Sequence, residues 1–193
     1  MSQTYYQLQV EDGKQPEGFT LIEILAVIGI IGILASIAVV AFHGQRTSAI
    51  NTTALTLVGD IAKLEALLFL DASEYGTTHT KSRAKAKKKG RLITGGTMSG
   101  YLVTSQNSSS NPQFREFQLS EGVSVVVAAD SNYQSYVITT KHVMGDRRYC
   151  FDSDSSKTYY DNKYAAGKAL KRSGAISATL NSDDCASANM AEL

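Results

Sequence analysis

The sequence predicts an α+β protein: one long N-terminal helix, half transmembrane and half amphipathic, packed on an antiparallel sheet of about four strands. Three observations carry this. Ile24 to Phe42 is an apolar run whose single polar side chain is Ser36. From Ile50 apolar residues recur at helical spacing. Beyond Leu92 they fall into short runs rich in Val, Tyr, Phe and Thr, separated by turn residues.

The first element follows from length and charge. Ile24 to Phe42 is 19 residues, which at ~1.5 Å per helical residue spans roughly 28 Å, the thickness of a bilayer's hydrocarbon. A helix apolar on every face is hard to bury in so small a domain, so a membrane span is the reading. The flank before it, "MSQTYYQLQVEDGKQPEG", sets Glu11, Asp12 and Glu17 against the single cation Lys14. An ordinary secretory signal instead has a basic start and a small-residue cleavage site after its apolar stretch. Charge counting does not fix the orientation, because Arg46 and Lys63 offer little opposing charge beyond the span. One acid, Glu23, stands at the mouth of the run, and a charge at a membrane edge is a functional hypothesis by default.

At Glu23 the sequence resembles a known family. Gly18-Phe19-Thr20-Leu21-Ile22-Glu23, followed directly by the apolar run, is similar to the class III signal of type IV pilins and of type II secretion pseudopilins. The resemblance is strong from Gly18 to about Ile50. It implies a pilin fold and a leader, residues 1–18, removed by a prepilin peptidase that cuts between Gly18 and Phe19 and methylates the Phe19 amine. It also implies that residues 19–42 form a transmembrane and filament-core helix, and that Glu23 meets the Phe19 amine of a neighbouring copy. Glu23 lies four residues beyond Phe19, on the same helix face. Gly29 and Gly32 are weak points or close-contact sites along the helix, with Gly32 placed in the assembly set. One departure is Val40, which stands where many type IV pilins have a proline.

The second element is the amphipathic continuation, residues 43–76. Its stripe runs through Ile50, Ala54, Leu57, Val58, Ile61, Leu64 and Leu68, with Asn51, Thr53, Asp60 and Lys63 mainly on other faces. Gly76 and the threonines after it predict the stop.

Residues 77–193 hold the rest. The run "KSRAKAKKKGR" gathers Lys81, Arg83, Lys85, Lys87, Lys88, Lys89 and Arg91 without one acid. DNA or an anionic surface would suit such a patch, and copies along a fibre would multiply a weak affinity. A solvated loop is the simpler reading, since no aromatic residues interleave to stack bases. The strand candidates are "GYLVTS", "FREFQLS", "VSVVVAA", "SYVITTKH" and "RRYCFDSD", with one sheet face on the helix and the other partly in water. "DSDSS" at Asp152–Ser156 reads as a turn without calcium-loop spacing. Ala165 to Leu170 is a weak helical patch in a tail too polar to hold a core alone.

Cys150 and Cys185 fit no metal or haem spacing. By themselves they read as one disulfide in an exported head or as two thiols in the cytosol. The resemblance places the head outside the cytosol and implies a bridge between them, closing a loop of about 35 residues worth roughly 4 kcal/mol. Net charge of +1 argues against a wholesale nucleic-acid binder. His43, His79 and His142 read as surface or packing residues, and no phosphate loop, nucleophile elbow or metal cluster emerges. No cofactor, no metal and no enzyme activity are expected.

The function implied is a structural subunit of a type IV pilus-like filament serving adhesion, twitching motility or DNA uptake. Its partners are other copies of itself in a helical homopolymer, the prepilin peptidase and methyltransferase, and the assembly platform of the bacterial inner membrane. The chain would sit in that membrane as a single-pass precursor and later on the cell surface. A minor pilin or a type II secretion pseudopilin is the alternative within the class. A permanently anchored binding protein using the basic run is the alternative outside it.

Overall fold

The computed structural model describes residues 18–82, 86–95, 99–104 and 113–193. Of the expected leader only Gly18 is among them, and Arg83 and Lys85 of the basic run lie outside them. Helix α1 runs from Leu21 to Ala72. The chain divides into two units, residues 1–42 and His43–Leu193.

In the first unit α1 turns large apolar side chains outward all along, from Ile24 through Ile31 and Ile37 to Phe42. By length and composition the helix can cross a membrane. The hydroxyl of Ser36 donates to the Ile33 carbonyl at 2.7 Å, so the one polar side chain in the apolar run is satisfied inside the helix.

In the second unit α1 buries Asn51, Ala54, Leu57, Val58, Ile61, Glu65 and Leu68, spaced three and four apart on one stripe. The helix ends at Ala72, where Ser73 adopts a positive φ of 56° and its amide still reaches the Phe69 carbonyl at 2.7 Å. Gly76 follows at a close approach: a Cβ there would stand 2.6 Å from Leu68 Cδ2.

The strands after α1 form two antiparallel sheets. β1 (Thr77–His79), β3 (Gly100–Val103) and β4 (Phe114–Phe117) make a three-stranded sheet in the order β1-β3-β4. β2 (Ile93–Thr94), β5 (Val123–Ala129), β6 (Tyr136–His142), β7 (Arg148–Asp152), β8 (Lys157–Asp161) and β9 (Ala191–Glu192) make a six-stranded sheet in that order. The α+β class with a helix on antiparallel sheet therefore holds, while the strands are more numerous than the four expected. β1, β2 and β9 are two or three residues long, too short to show alternation in sequence. β8 opens directly after the Asp152–Ser156 turn.

The core joins the α1 stripe to Ile93, Leu102, Phe117, Val123, Val125, Val127, Tyr136, Ile138 and Tyr149. The opposite face of the six-stranded sheet is covered, not partly in water as the sequence suggested. Val126 packs with Leu170 and Ala175, while Val137, Cys150 and Tyr159 pack with Cys185 and Met190. Every residue of β5 is buried, which explains why VSVVVAA reads as a continuous apolar run. The helical patch at Ala165 to Leu170 is absent. A turn at Gly167, with φ of 81°, breaks it. The tail instead forms an irregular layer with a 3-10 turn at Arg172–Gly174 and a short helix, α2, at Asp184–Ser187. Cys150 and Cys185 are joined as a disulfide, Cα atoms 5.9 Å apart, and this pins α2 to β7.

Candidate functional site

The N-terminal segment is built around Thr20. Thr20 precedes the first helical residue, and Glu23 follows three positions later, the spacing of a capping box. The Thr20 amide and hydroxyl both donate to Glu23 Oε2 at 2.8 Å, and the Glu23 amide points back to Thr20 Oγ1 at 3.4 Å. The carboxylate therefore folds back over the start of the helix, one residue from the Phe19 nitrogen. Phe19 itself is 83% exposed. Gly18 is exposed beside it. Gly32, like Gly29, meets nothing within 4 Å of where a Cβ would stand, so within one chain its bare backbone edge is open.

Capping was the feature missed at Glu23. The T-x-x-E pattern ahead of an apolar run signals it, and the acid thus has a local role at the helix start as well as any intermolecular one.

The basic run is not simply a solvated loop. β2 covers only Ser124 and Val125 of β5, leaving the edge from Val127 to Ala129 open. Lys87 to Arg91 fills that edge and ties it to β1. Lys89 bridges Ala128, the Ala129 amide donates to the Lys88 carbonyl at 2.8 Å, and the Arg91 amide donates to the Thr78 carbonyl at 2.7 Å. The Thr78 hydroxyl clasps both sides, donating to the Arg91 carbonyl at 2.7 Å and accepting from the Val127 amide at 3.0 Å. Lys87, Lys89 and Arg91 come together at one cleft, and Lys88 lies by Asp130 in the next one, which Lys89 also borders. Lys81 is exposed before the strap.

Four other polar groups of the head have defined surroundings. Burial lifts the Glu65 carboxyl to about 8, against the lowering effect of the Gly76 amide that donates to its Oε2 at 2.7 Å. Its Oε1 has no hydrogen-bond partner among the described residues. Burial also raises the Asp130 carboxyl, but amides of Asn132, Ser135 and Gln134 and the Lys88 charge outweigh it and hold the group below its ordinary value. Lys141 is fully buried, its Nζ donating to the carbonyls of His142 at 2.9 Å and Gly145 at 2.7 Å. His142 Nδ1 accepts from the Met144 amide at 3.0 Å, a turn-holding contact. Among the described residues no group of His, Cys, Asp and Glu is arranged to hold a metal ion.

Residues 14–39 match the family model of the prokaryotic N-terminal methylation motif. No curated protein and no solved structure matches the chain significantly. The motif implies processing by prepilin peptidase and suits a membrane-anchored precursor. The chain thus joins a class III signal and an apolar helix to antiparallel sheet in an α+β arrangement matching the pilin fold, consistent with a type IV pilin-like or pseudopilin-like secreted protein.

Proposed function

We propose that the chain is a structural subunit of a type IV pilus-like filament, made as a single-pass inner-membrane precursor and displayed at the cell surface after assembly. The observation that carries this is a methylation motif running straight into a helix that exposes apolar side chains on every face. Such a surface is stable in lipid before assembly and against other copies of itself afterwards, but not in water. Cleavage between Gly18 and Phe19 creates an amine beside the Glu23 carboxylate, and methylation keeps that amine cationic.

In the subunit alone Glu23 is held by Thr20. In a bundle of helices the same carboxylate meets a neighbour's Phe19 amine, because an unpaired charge inside an apolar bundle costs several kcal/mol. That pairing sets the axial register, and the assembly platform extracts each subunit into it. Gly32 gives the bundle a place where backbones approach closely.

Mass spectrometry of the mature N-terminus tests the reading. A chain beginning at methylated Phe19 supports it, and a chain from cells that still begins at Met1 overturns it in favour of a permanently anchored binding protein. Glu23→Ala is expected to be cut normally yet to yield few sheared fibres. Normal fibre yield would remove the register role. Abundance in sheared fibres separates a major subunit from a minor pilin or pseudopilin, and with it the work in adhesion, motility, DNA uptake or secretion.

A further inference from the structure

The cleft beside the strap has a volume of about 320 Å³ and is lined by Thr78, His79, Lys87, Lys89, Arg91, Leu92 and Arg172. Its composition is set by backbone geometry. An extended segment sends alternate side chains to opposite sides, so Lys87, Lys89 and Arg91, two residues apart each, reach the same cleft. Gly90, between them, is buried with its backbone close against Val127 and Thr78.

Charge on an exposed sheet edge has a structural explanation, because lysines there discourage pairing with other chains. That explanation accounts for the strap and stops there. Arg172 comes from the tail, on the far side of the sheet in sequence, and its Nη2 donates to the Lys89 carbonyl at 3.0 Å. This fixes a fourth permanent cation at the rim. His79 adds a ring: its Nδ1 accepts from the Lys81 amide at 3.1 Å, which leaves Nε2–H as the donor of the neutral imidazole. Burial, Arg91, Lys87 and Lys81, in that order, all push the His79 pKa down. None of these cations is ion-paired among the described residues, and no acid lines the cleft.

We propose that this cleft is a binding site for a compact oxyanion, a phosphate or sulfate ester borne on a small polar molecule or glycan. Four residues with guanidinium or ammonium groups and one with an imidazole line a single cleft, a donor set suited to a tetrahedral anion with several acceptor oxygens. Thr78 and Leu92 are the remaining walls, and no Phe, Tyr or Trp is among the lining residues to stack a base, so the cleft favours an isolated ester over a nucleic-acid strand. The site depends on the folded head alone and stands whether or not the chain polymerises.

The test is an NMR titration of the full chain in nonionic detergent micelles with inorganic phosphate, and separately with sulfate, at constant ionic strength set by chloride. Saturable shifts of the His79 ring and of the Thr78, Lys89 and Arg91 amides are expected. Lys87→Gln and Arg172→Gln should each weaken binding about tenfold, the loss of one charge-assisted contact. Lys63→Gln, on exposed helix surface, should not. Arg172→Gln also removes the bond to the Lys89 carbonyl; Lys87→Gln disturbs no side-chain bond of the strap and keeps the test decisive if the first variant misfolds. Linear shifts without saturation overturn the site. So does equal affinity in wild type and Lys87→Gln. A single-stranded oligonucleotide that binds where phosphate and sulfate do not would show a diffuse nucleic-acid patch instead.

Discussion

The two stretches of α1 use the same backbone for opposite ends. Up to Phe42 the side chains are apolar on all sides and none is buried, and the residues that differ from their neighbours are Glu23 at the mouth and Ser36 within. From His43 onward the helix carries one stripe, and that stripe holds the head together. Apolar content alone does not make a core. A helix without a polar side has no way to choose which face to cover, so it needs a solvent or a partner that accepts every face. A helix with a polar side positions a sheet by itself.

The sharpest way to break this comparison is through the head's far layer, which the first stretch lacks altogether. Cys150→Ser in the full chain in detergent should cost about 4 kcal/mol of head stability, a fall in melting temperature of ~8–16 °C, because the unfolded chain regains the freedom that the cross-link removes. Melting unchanged in that variant would mean the tail layer holds without its bond.

Next in size is the stripe itself. Ile61 is fully buried, and Ile61→Ala should cost about 3 kcal/mol. Ile31, 58% exposed, is the matched control: Ile31→Ala should leave the melting of the head where it was. Equal losses from the two would erase the distinction between the stretches.

Glu65 sharpens it further, since the second stretch hides an acid where the first displays one. Its carboxyl titrates at about 8 in the folded head, against an ordinary value of 4.5. The unfolded chain therefore ionises first, and the head loses stability as pH rises from about 4.5 to about 8, then levels off. Glu65→Gln keeps an acceptor for the Gly76 amide and removes that slope. The variant should match the wild type near pH 4.5 and melt higher at pH 8, read as melting temperature against pH. A variant curve parallel to the wild type would place the slope elsewhere.

The smallest effect is at the helix start. Thr20→Ala removes the hydroxyl that bonds Glu23 while leaving its amide, so the first turn should fray and its amides exchange faster, with head melting unaltered. Unchanged exchange at Glu23 and Ile24 would deny the cap.

Much of this was legible in the residues. Ala54, Leu57, Val58, Ile61 and Leu68 announce their face by spacing. Asn51 and Glu65 share that face unannounced, because a polar letter reads as solvent unless its partner is known. Asn51 finds Asp146, to which its Nδ2 donates at 2.6 Å, ninety-five positions away. Glu65 finds the backbone of Gly76. The tail's role was hidden for the same reason: Leu170, Ala175 and Met190 are isolated apolar residues in a polar segment, and the strands from β5 to β8 give them something to cover. Arg172 at the cleft had no local signal at all. Thr20 had one.

Gly90 carries a consequence for how this surface can change over generations. A methyl group there would collide with the Val127 carbonyl and with Thr78. Each lysine around it can be replaced at small expense to the head's fold, the loss falling on the anion site alone. The glycine cannot, and any mutation of it would pry the strap off both sheets at once. Loss of a lysine should therefore cost the head its anion site before its fold, whereas loss of this glycine should cost it both together.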